Sequence, residues 1–457
     1  MNISIFKNLA IFSPLLRHPV FRNVSWATAG RFLSIGLNIL TTAIVARHLG
    51  IERFGLYCFA MAFPNMLRVF TTLGLGQIVL RDLSQYPERK ATIQGSMAVL
   101  YALTGLLTMG LIIGVAYVFQ KGKPEVIHLV SIASLTILFT PSGVFNQWFQ
   151  SQLRTKYIVI VSTATLLLIS ILKILLSFMG ANVASFIWAN VASEGITALG
   201  VAIIYRHIYG SPFAWQIDFS YIRSILTEGW PKLGQALVNT LGRRSDQVML
   251  GVMAGPSAVA VYAIAFQIQK KLVFLPNIVA NSLAPGLSRA KRISEKEFEE
   301  KLLISYRIMV LMFLAIGIPL ALASHLIINT IYGGEYHKAG IILMLFSLRF
   351  IFTNIIAVRS WYITNFSLFK YGLAIALISS LLNFCLNLAF IPFLSSLGAV
   401  LATLLASFFV SIIADWFYGP AKNNARIVCK AILSFWKIMP LFNQKPVAEN
   451  VRKSKAL

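Results

Sequence analysis

Residues 228–250 read EGWPKLGQALVNTLGRRSDQVML, a stretch that combines helical spacing with a stripe of polar and charged side chains. At about 100° per residue, five of these side chains fall within an arc of about 80° on a helix. They are Lys232, Gln235, Asn239, Arg243 and Asp246. A charge at the centre of a bilayer costs about 2.5–3.5 kcal/mol on insertion scales. We therefore predict that this stripe faces other helices or a water-filled cavity and not lipid.

The composition around this stretch is typical of a polytopic membrane protein. Of 457 residues, 57% are hydrophobic and 12% are charged, and the mean hydropathy is +0.75. The formal net charge of +25 would suggest a nucleic-acid ligand in a soluble chain. Here the basic residues flank or interrupt apolar spans, so membrane topology accounts for most of them, and we expect no nucleic-acid partner.

Catalytic and metal-binding patterns are not apparent in the sequence. Cys58, Cys385 and Cys429 have no paired or metal-like spacing, so we interpret them as packing residues without a disulfide bond. The sequence shows no HExxH, GxSxG or P-loop pattern, and its histidines are scattered. We therefore expect neither an enzyme nor a cofactor or metal site.

Apolar segments of membrane-spanning length predict an all-α polytopic membrane protein with twelve transmembrane helices in two six-helix lobes. The predicted spans cover residues 24–46, 56–80, 92–119, 127–149, 157–179, 183–205, 228–250, 258–283, 302–323, 339–362, 371–392 and 397–418. We predict a cytoplasmic leader at 1–21, an N-terminal lobe at 22–206, a cytoplasmic linker at 207–222, a C-terminal lobe at 223–420 and a basic cytoplasmic tail at 421–457.

The two halves show a weak internal repeat. When the second half of the sequence is aligned with the first, Gly50 matches Gly255 and, at the same offset, Tyr57 matches Tyr262. An even number of spans in each half gives the lobes parallel topology about an axis along the membrane normal. This is the architecture of a two-lobed transporter with alternating access.

Basic loops predict the orientation of the chain. With a cytoplasmic N-terminus, most Lys and Arg residues fall inside, and the outer loops hold only Arg47, Arg53, Lys121, Lys123 and Lys338. Both termini are then cytoplasmic. Residues 425–442 have an apolar and a basic face, which favours an amphipathic helix on the inner leaflet over a disordered basic tail.

Cations in the predicted spans outnumber the acids, so pairing cannot neutralise them all, and we predict that they line a common central cavity between the lobes. The candidate substrate-binding residues are Arg31, Arg68, Lys173, Lys232, Asn239, Arg243, Lys270 and Arg349. Glu194 and Asp246 are the candidates for coupling transport to an ion. A structural role stays open for some charges: Arg243 could pair with Asp246, Lys232 with Glu228, and Arg359 could extend to the inner interface.

Three short motifs resemble the polysaccharide-biosynthesis flippases. They are HLGIERFGLY at residues 48–57, TLGLG at 72–76 before Arg81, and IYGGEY at 331–336 followed by Ala339 and Gly340. The resemblance covers about residues 22–420 and identifies the chain as similar to Wzx-type O-antigen transporters. These belong to the superfamily that includes MATE exporters and the lipid II flippase. The lipid II flippase family usually has two more spans than the twelve predicted here.

The resemblance implies a bacterial inner-membrane protein that moves a polyprenyl-diphosphate-linked oligosaccharide from the cytoplasmic to the periplasmic leaflet. Membrane lipids, a polysaccharide polymerase and assembly proteins are the partners that it implies. The residues agree, because Arg suits bidentate phosphate contact and neighbouring amides and hydroxyls can bond sugar hydroxyls.

Two other functions compete with this interpretation. A cation-coupled exporter of small drugs would share the fold but would favour a carboxylate-rich apolar pocket. A non-transporting scaffold for envelope assembly gives no reason for charged stripes inside the bilayer.

Overall fold

The computed structural model of the chain describes residues 19–120, 122–211 and 215–438, with the backbone alone at 19–33, 239, 241, 243, 244 and 438. Most of the predicted leader, Lys121 of an outer loop and the tail beyond residue 438 lie outside this described part. The side chains of Arg31, Asn239 and Arg243 lie outside it as well.

Helices and short connections make up the described residues, and none of these residues lies in a strand. The α-helices are α1 (Pro19–Thr72), α2 (Gly76–Gln85), α3 (Lys90–Phe119), α4 (Pro124–Ser134), α5 (Gly143–Ser151), α6 (Lys156–Phe178), α7 (Val183–Tyr209), α8 (Phe219–Met253), α9 (Pro256–Leu272), α10 (Phe274–Ile293), α11 (Glu295–Met312), α12 (Ile318–Tyr332), α13 (Lys338–Asn365), α14 (Phe369–Leu394), α15 (Ser396–Phe408) and α16 (Lys422–Ile432).

Local departures from α-helix follow from the sequence. Pro141 cannot donate a backbone hydrogen bond, and it lies in a 3₁₀ segment, Leu135–Ser142, between α4 and α5. Segments of π-helix, Phe313–Gly317 and Phe409–Ile413, extend α11 and α15.

Ten helical segments in the described part are long and apolar enough to cross a membrane. The first of them, Ser34–Thr72, covers parts of two predicted spans, and Gly50 breaks it with φ 71° and ψ 171°. The 35-residue helix α8, which carries the charged stripe, is not one of the ten. The all-α, multi-pass class is confirmed, whereas the number twelve and the internal repeat stay predictions.

The described chain forms two compact units. The first unit contains the residues up to Ala263 together with Ile328–Lys338 and Asn387–Ala399. The second unit contains Ile264–Ile327, Ala339–Leu386 and the residues from Val400 onwards. The predicted lobe boundaries and linker stay predictions.

In the first unit, α8 packs closely along α1 and the turn that follows it. A methyl group built on Gly251 would overlap the ring of Phe59, and one built on Gly229 would overlap the side chain of Leu75. Only glycine permits these approaches, so the two contacts fix the position of the stretch that carries the charged stripe.

Two of the signature motifs contact each other in the same unit. The Tyr336 hydroxyl donates a hydrogen bond to the Ala46 carbonyl at 2.8 Å, and its ring packs edge-on against Phe54 with centroids 6.2 Å apart. Gly50 and Gly333 both have positive φ, 71° and 95°, which glycine adopts without strain. The loop at residues 333–336 is thereby held against the turn after the first predicted span.

The tail begins as the predicted amphipathic helix, but its apolar face is not directed to lipid. In α16, Ile427, Val428 and Ala431 are buried in the core of the second unit, beside Leu302 and Tyr306 of α11. Arg426 and Lys430 are exposed on the other face. The expectation that this helix lies on the inner leaflet is therefore wrong for the apolar residues of α16, since protein covers them.

Candidate functional site

A lysine inside a candidate membrane span is held by two neutral partners in the first unit. Lys173 of α6 donates from Nζ to Asn190 Oδ1 at 2.7 Å, and Asn190 Nδ2 donates to the Tyr57 hydroxyl at 2.8 Å. Nζ also lies 6.0 Å from the centroid of the Tyr57 ring. No ion pair joins Lys173 to a carboxylate among the described side chains. Its charge is therefore solvated by an amide and an aromatic face, not neutralised.

One turn further along α7 lies an ion pair with α1. Arg68 donates from its two terminal nitrogens to the two oxygens of Glu194, at 3.1 and 3.2 Å. The two side chains are 39% and 37% exposed although both lie within candidate spans. Because Asn190 and Glu194 are four residues apart on one helix, the pair and Lys173 belong to one polar stripe. We call Tyr57, Arg68, Lys173, Asn190 and Glu194 the polar ladder.

A buried acid lies at the C-terminal end of the opening stretch. Asp246 is 2% exposed and accepts hydrogen bonds from the Tyr262 hydroxyl at 2.6 Å and from Asn387 Nδ2 at 2.7 Å. On the same helix, Lys232 is exposed. Glu228 forms its ion pair with Arg81, with Nη2 and Oε2 3.0 Å apart. This carboxylate therefore engages Arg81, whereas pairing with Lys232 was the alternative left open.

The two candidate cations of the second unit differ in their surroundings. Arg349 is half-buried and donates from Nε to Ser407 Oγ at 2.8 Å. Lys270 is exposed near the end of α9. Arg31, Asn239 and Arg243 stay predictions, because their side chains lie outside the described part.

A second buried acid was missed by the sequence interpretation. Asp415 accepts from Arg359 Nε at 3.0 Å to each oxygen, from the Tyr371 hydroxyl at 2.8 Å and from Asn424 Nδ2 at 2.7 Å. The Tyr306 hydroxyl donates to Asn424 Oδ1 at 2.8 Å. Arg359 is 4% exposed, so it does not extend to the interface as was left open.

Signals for the missed residues are present in the sequence but are not specific. Asp415 is an acid just before the predicted end of the last span, and Asn387 is an amide inside the eleventh. Polar residues in membrane-spanning segments form hydrogen bonds or ion pairs with other polar groups. The sequence alone does not indicate which helix carries the partner. Among the described residues, no three His, Cys, Asp or Glu side chains are grouped as a metal site requires.

An all-α chain with charged side chains inside candidate membrane spans is a multi-pass membrane protein, and charges in such positions mark a functional site. The family model of the polysaccharide biosynthesis proteins matches residues 20–291. The chain belongs to this family. The resemblance drawn from the three motifs is thus confirmed.

Two curated relatives are similar in sequence. The putative O-antigen transporter of Escherichia coli (strain K12) is 23% identical over 418 residues, which cover 89% of this chain and 98% of that protein. The succinoglycan biosynthesis transport protein ExoT of Rhizobium meliloti (strain 1021) is 22% identical over 275 residues. That match covers 59% of this chain and 52% of ExoT, so it spans about half the length of that relative.

Solved structures share the fold at low sequence identity. The lipid II flippase MurJ in an inward closed conformation matches with a TM-score of 0.69 and 16% identity, over 92% of this chain and 93% of that one. A multidrug resistance MATE family transporter of the MOP superfamily, inward-facing, matches with a TM-score of 0.60 and 15% identity, over 88% and 96%. The fold is therefore that of the MurJ and MATE transporters.

Proposed function

We propose that this protein is an alternating-access flippase that moves an oligosaccharide linked to polyprenyl diphosphate from the cytoplasmic to the periplasmic leaflet of the bacterial inner membrane. Membership of the polysaccharide biosynthesis family supports the substrate class. The match to an O-antigen transporter over nearly the whole of both chains supports it further.

The observation that carries the proposal is the partly exposed Arg68–Glu194 pair inside candidate membrane spans. Charges exposed to this extent at membrane depth are favourable only in contact with water. A water-filled path is what a phosphate-bearing headgroup needs to avoid hydrocarbon. The guanidinium of Arg68 presents a planar fork that matches phosphate oxygens, so a diphosphate competes with Glu194 for it.

Lys173 adds a second contact of different character. Its ammonium is a point charge held by Asn190 and Tyr57, and an approaching phosphate can exchange with the Asn190 oxygen. The amide and hydroxyl released in this way have the hydrogen-bonding capacity that sugar hydroxyls require. The remaining proposed contacts are Arg31, Lys232, Asn239, Arg243, Lys270 and Arg349.

Glu194 and Asp246 are the acids proposed for ion coupling. Glu194 would be released when a phosphate takes its place on Arg68, and the released carboxylate could then take a transported cation as its new partner. Asp246 differs, because Tyr262 and Asn387 already donate to it. We place both termini in the cytoplasm from the basic loops, and we propose a polymerase and assembly proteins as partners.

A cation-coupled drug exporter of the same fold is the second candidate. Likeness to a MATE transporter supports its fold alone. The acids described at membrane depth do not form a carboxylate-rich apolar pocket. Glu194 is paired with Arg68 and Asp415 with Arg359, and Asp246 accepts hydrogen bonds from Tyr262 and Asn387. We therefore favour the flippase.

Reconstituted flipping tests the proposal. Proteoliposomes would carry a labelled polyprenyl-diphosphate oligosaccharide, and a membrane-impermeant glycosidase would report the fraction in the outer leaflet. We expect Lys173→Ala to slow flipping at least about tenfold, because a charge-assisted contact contributes about 1.5–3 kcal/mol, and Lys173→Arg to retain part of the rate. Lys123→Ala, in an exposed loop, is the matched control and should flip normally.

One outcome would contradict the role of Lys173, and another would contradict the flippase itself. Unchanged flipping in Lys173→Ala at equal protein level would remove this cation from the headgroup path. Export of cationic dyes by wild-type protein that flips no oligosaccharide would favour the drug exporter.

A further inference from the structure

Four candidate spans of the first unit each have one end on the same side of the membrane. Pro87–Phe119 and Lys156–Phe178 begin there, and Pro124–Ser151 and Val183–Tyr209 end there, since consecutive spans cross the membrane in alternate directions. Basic and aromatic residues gather at these ends, away from the polar ladder inside the spans.

Four of these residues form a compact group, which we call the Tyr209 cluster: Lys90, Trp148, Arg154 and Tyr209. Lys90 Nζ lies 5.5 Å from the centroids of both the Trp148 and Tyr209 rings. The guanidinium carbon of Arg154 lies 5.6 Å from the Tyr209 centroid. The two rings pack edge-on, with centroids 5.5 Å apart. Cation–π contact therefore holds two positive charges on one aromatic ring.

These two cations have no acidic partner in the part of the chain that the structure describes. Lys291 of the second unit, which also lies over an aromatic ring, does have one. Lys291 lies over the Phe366 ring at 3.6 Å and pairs with Glu295 at 3.3 Å. The charge of the Tyr209 cluster is thus uncompensated by the described protein.

The two rings of the cluster also carry polar atoms that lack a hydrogen-bond partner among the described residues. They are the Trp148 indole nitrogen and the Tyr209 hydroxyl, and both are buried. A buried donor that makes no hydrogen bond destabilises a protein by about 1–3 kcal/mol. Two cations and two unsatisfied donors on neighbouring rings form a set that an anion with several acceptor oxygens satisfies.

We propose that the Tyr209 cluster binds the phosphate of a lipid headgroup. The cluster lies at the ends of membrane spans, the depth at which headgroup phosphates lie and at which aromatic residues are enriched. Arg154 is exposed and supplies a bidentate fork, Lys90 supplies a point charge, and the rings of Trp148 and Tyr209 hold these two cations in place. The site is distinct from the polar ladder and does not depend on the proposed function.

Lipid binding to the full chain tests the site. Purified protein in detergent would be titrated with phosphatidylglycerol, and native mass spectrometry would count the retained lipids. We expect Lys90→Gln/Arg154→Gln to weaken the tightest phosphatidylglycerol site at least about tenfold, because two charge-assisted contacts are lost. Lys90→Arg/Arg154→Lys should stay within about threefold of wild type, since both charges remain.

The matched control removes the same charge elsewhere. Arg206→Gln/Lys291→Gln neutralises an exposed arginine of the last turn of α7 and the lysine that already pairs with Glu295. We expect wild-type affinity from this variant. Equal weakening by both double variants would reduce the effect to net charge and would overturn the site. If the first double variant fails to fold, the exposed Arg154→Gln alone tests the same point, with a loss of about threefold or more.

Two ligands distinguish the sources of the phosphate. Phosphatidylglycerol represents the bulk membrane lipids, and farnesyl diphosphate represents a polyprenyl carrier. Tighter binding of either one to the wild-type cluster, lost in Lys90→Gln/Arg154→Gln, supports a phosphate site and names its source. Binding of both no tighter than phosphatidylcholine, which has no net charge, would overturn the proposal.

Discussion

Replacing Asp415 with alanine should destabilise the second unit, because it leaves a buried guanidinium without its counter-ion. Of the ion pairs in the described part of the chain, Arg359–Asp415 is the most deeply buried, with side chains 5% and 3% exposed. The substitution also removes the acceptor of the Tyr371 hydroxyl and of Asn424 Nδ2, which connects α16 to the helices around it.

Breaking one partner of a buried pair costs about 3–5 kcal/mol, most of it from the stranded charge. With an unfolding entropy of about 2 cal/mol/K per residue, the melting temperature should fall by roughly 4 °C if the whole chain unfolds together. It should fall by on the order of 10 °C if the second unit unfolds alone. Thermal unfolding in detergent, followed by intrinsic tryptophan fluorescence, measures this shift.

Two variants make the test specific. Lys301→Ala breaks the exposed Glu297–Lys301 pair of the same unit and should cost about 0.5 kcal/mol or less, a shift below about 1 °C. Arg359→Met/Asp415→Leu removes both charges and should recover most of the lost stability. The reasoning is refuted if Asp415→Ala melts no lower than Lys301→Ala, or if the apolar double variant is as unstable as Asp415→Ala.

Three further predictions concern transport. Arg68→Ala should abolish flipping yet shift the melting temperature by less than about 1 °C, because a pair this exposed contributes about 0–1 kcal/mol; parallel melting and flipping assays check this, and a large melting shift would make the pair structural. Arg243→Ala should abolish surface polysaccharide in a host that depends on this protein, and Arg243→Lys should retain part of it, since charge survives without bidentate geometry; normal polymer in Arg243→Ala at equal protein level would exclude the role. An inside-negative membrane potential without ion gradients should accelerate outward flipping, because a headgroup of charge near −2 gains roughly 4–5 kcal/mol at 100 mV; if only a proton or sodium gradient accelerated flipping, coupling would be obligatory and Glu194 would be the first acid to replace.

The class and the helical stretches could be predicted because composition and periodicity report them directly. The stripe of residues 228–250 lies on one long helix, as predicted. Lys173, Asn190 and Glu194 lie inside candidate spans, as the apolar residues around them in the sequence predict. These features are local, so a single sequence contains them.

Partners and helix ends could not be predicted in the same way, since they depend on residues distant in sequence. Arg359 and Asp415 lie on different spans, and a helical wheel gives the face of a side chain without the helix that it meets. The second predicted span ends early, at Thr72, because Leu73 and Gly74 adopt positive φ, which an α-helix cannot accommodate. An amphipathic pattern also does not distinguish lipid from protein, which is why the apolar face of α16 was assigned to the wrong neighbour.

Few residues belong both to the motifs that identify the family and to the set proposed to bind substrate. Tyr57 belongs to the motif at residues 48–57 and also to the polar ladder. Its ring stacks on Phe54 of the same motif, with centroids 5.8 Å apart and an interplanar angle of 28°, and Phe54 in turn contacts Tyr336 of the distant motif. Its hydroxyl accepts from Asn190, which holds Lys173. Because only Tyr57 links the two sets, the short motifs can specify the fold without specifying the transported substrate. The motifs fix the position of the polar ladder, and we propose that the charges and amides beyond Tyr57 select the headgroup.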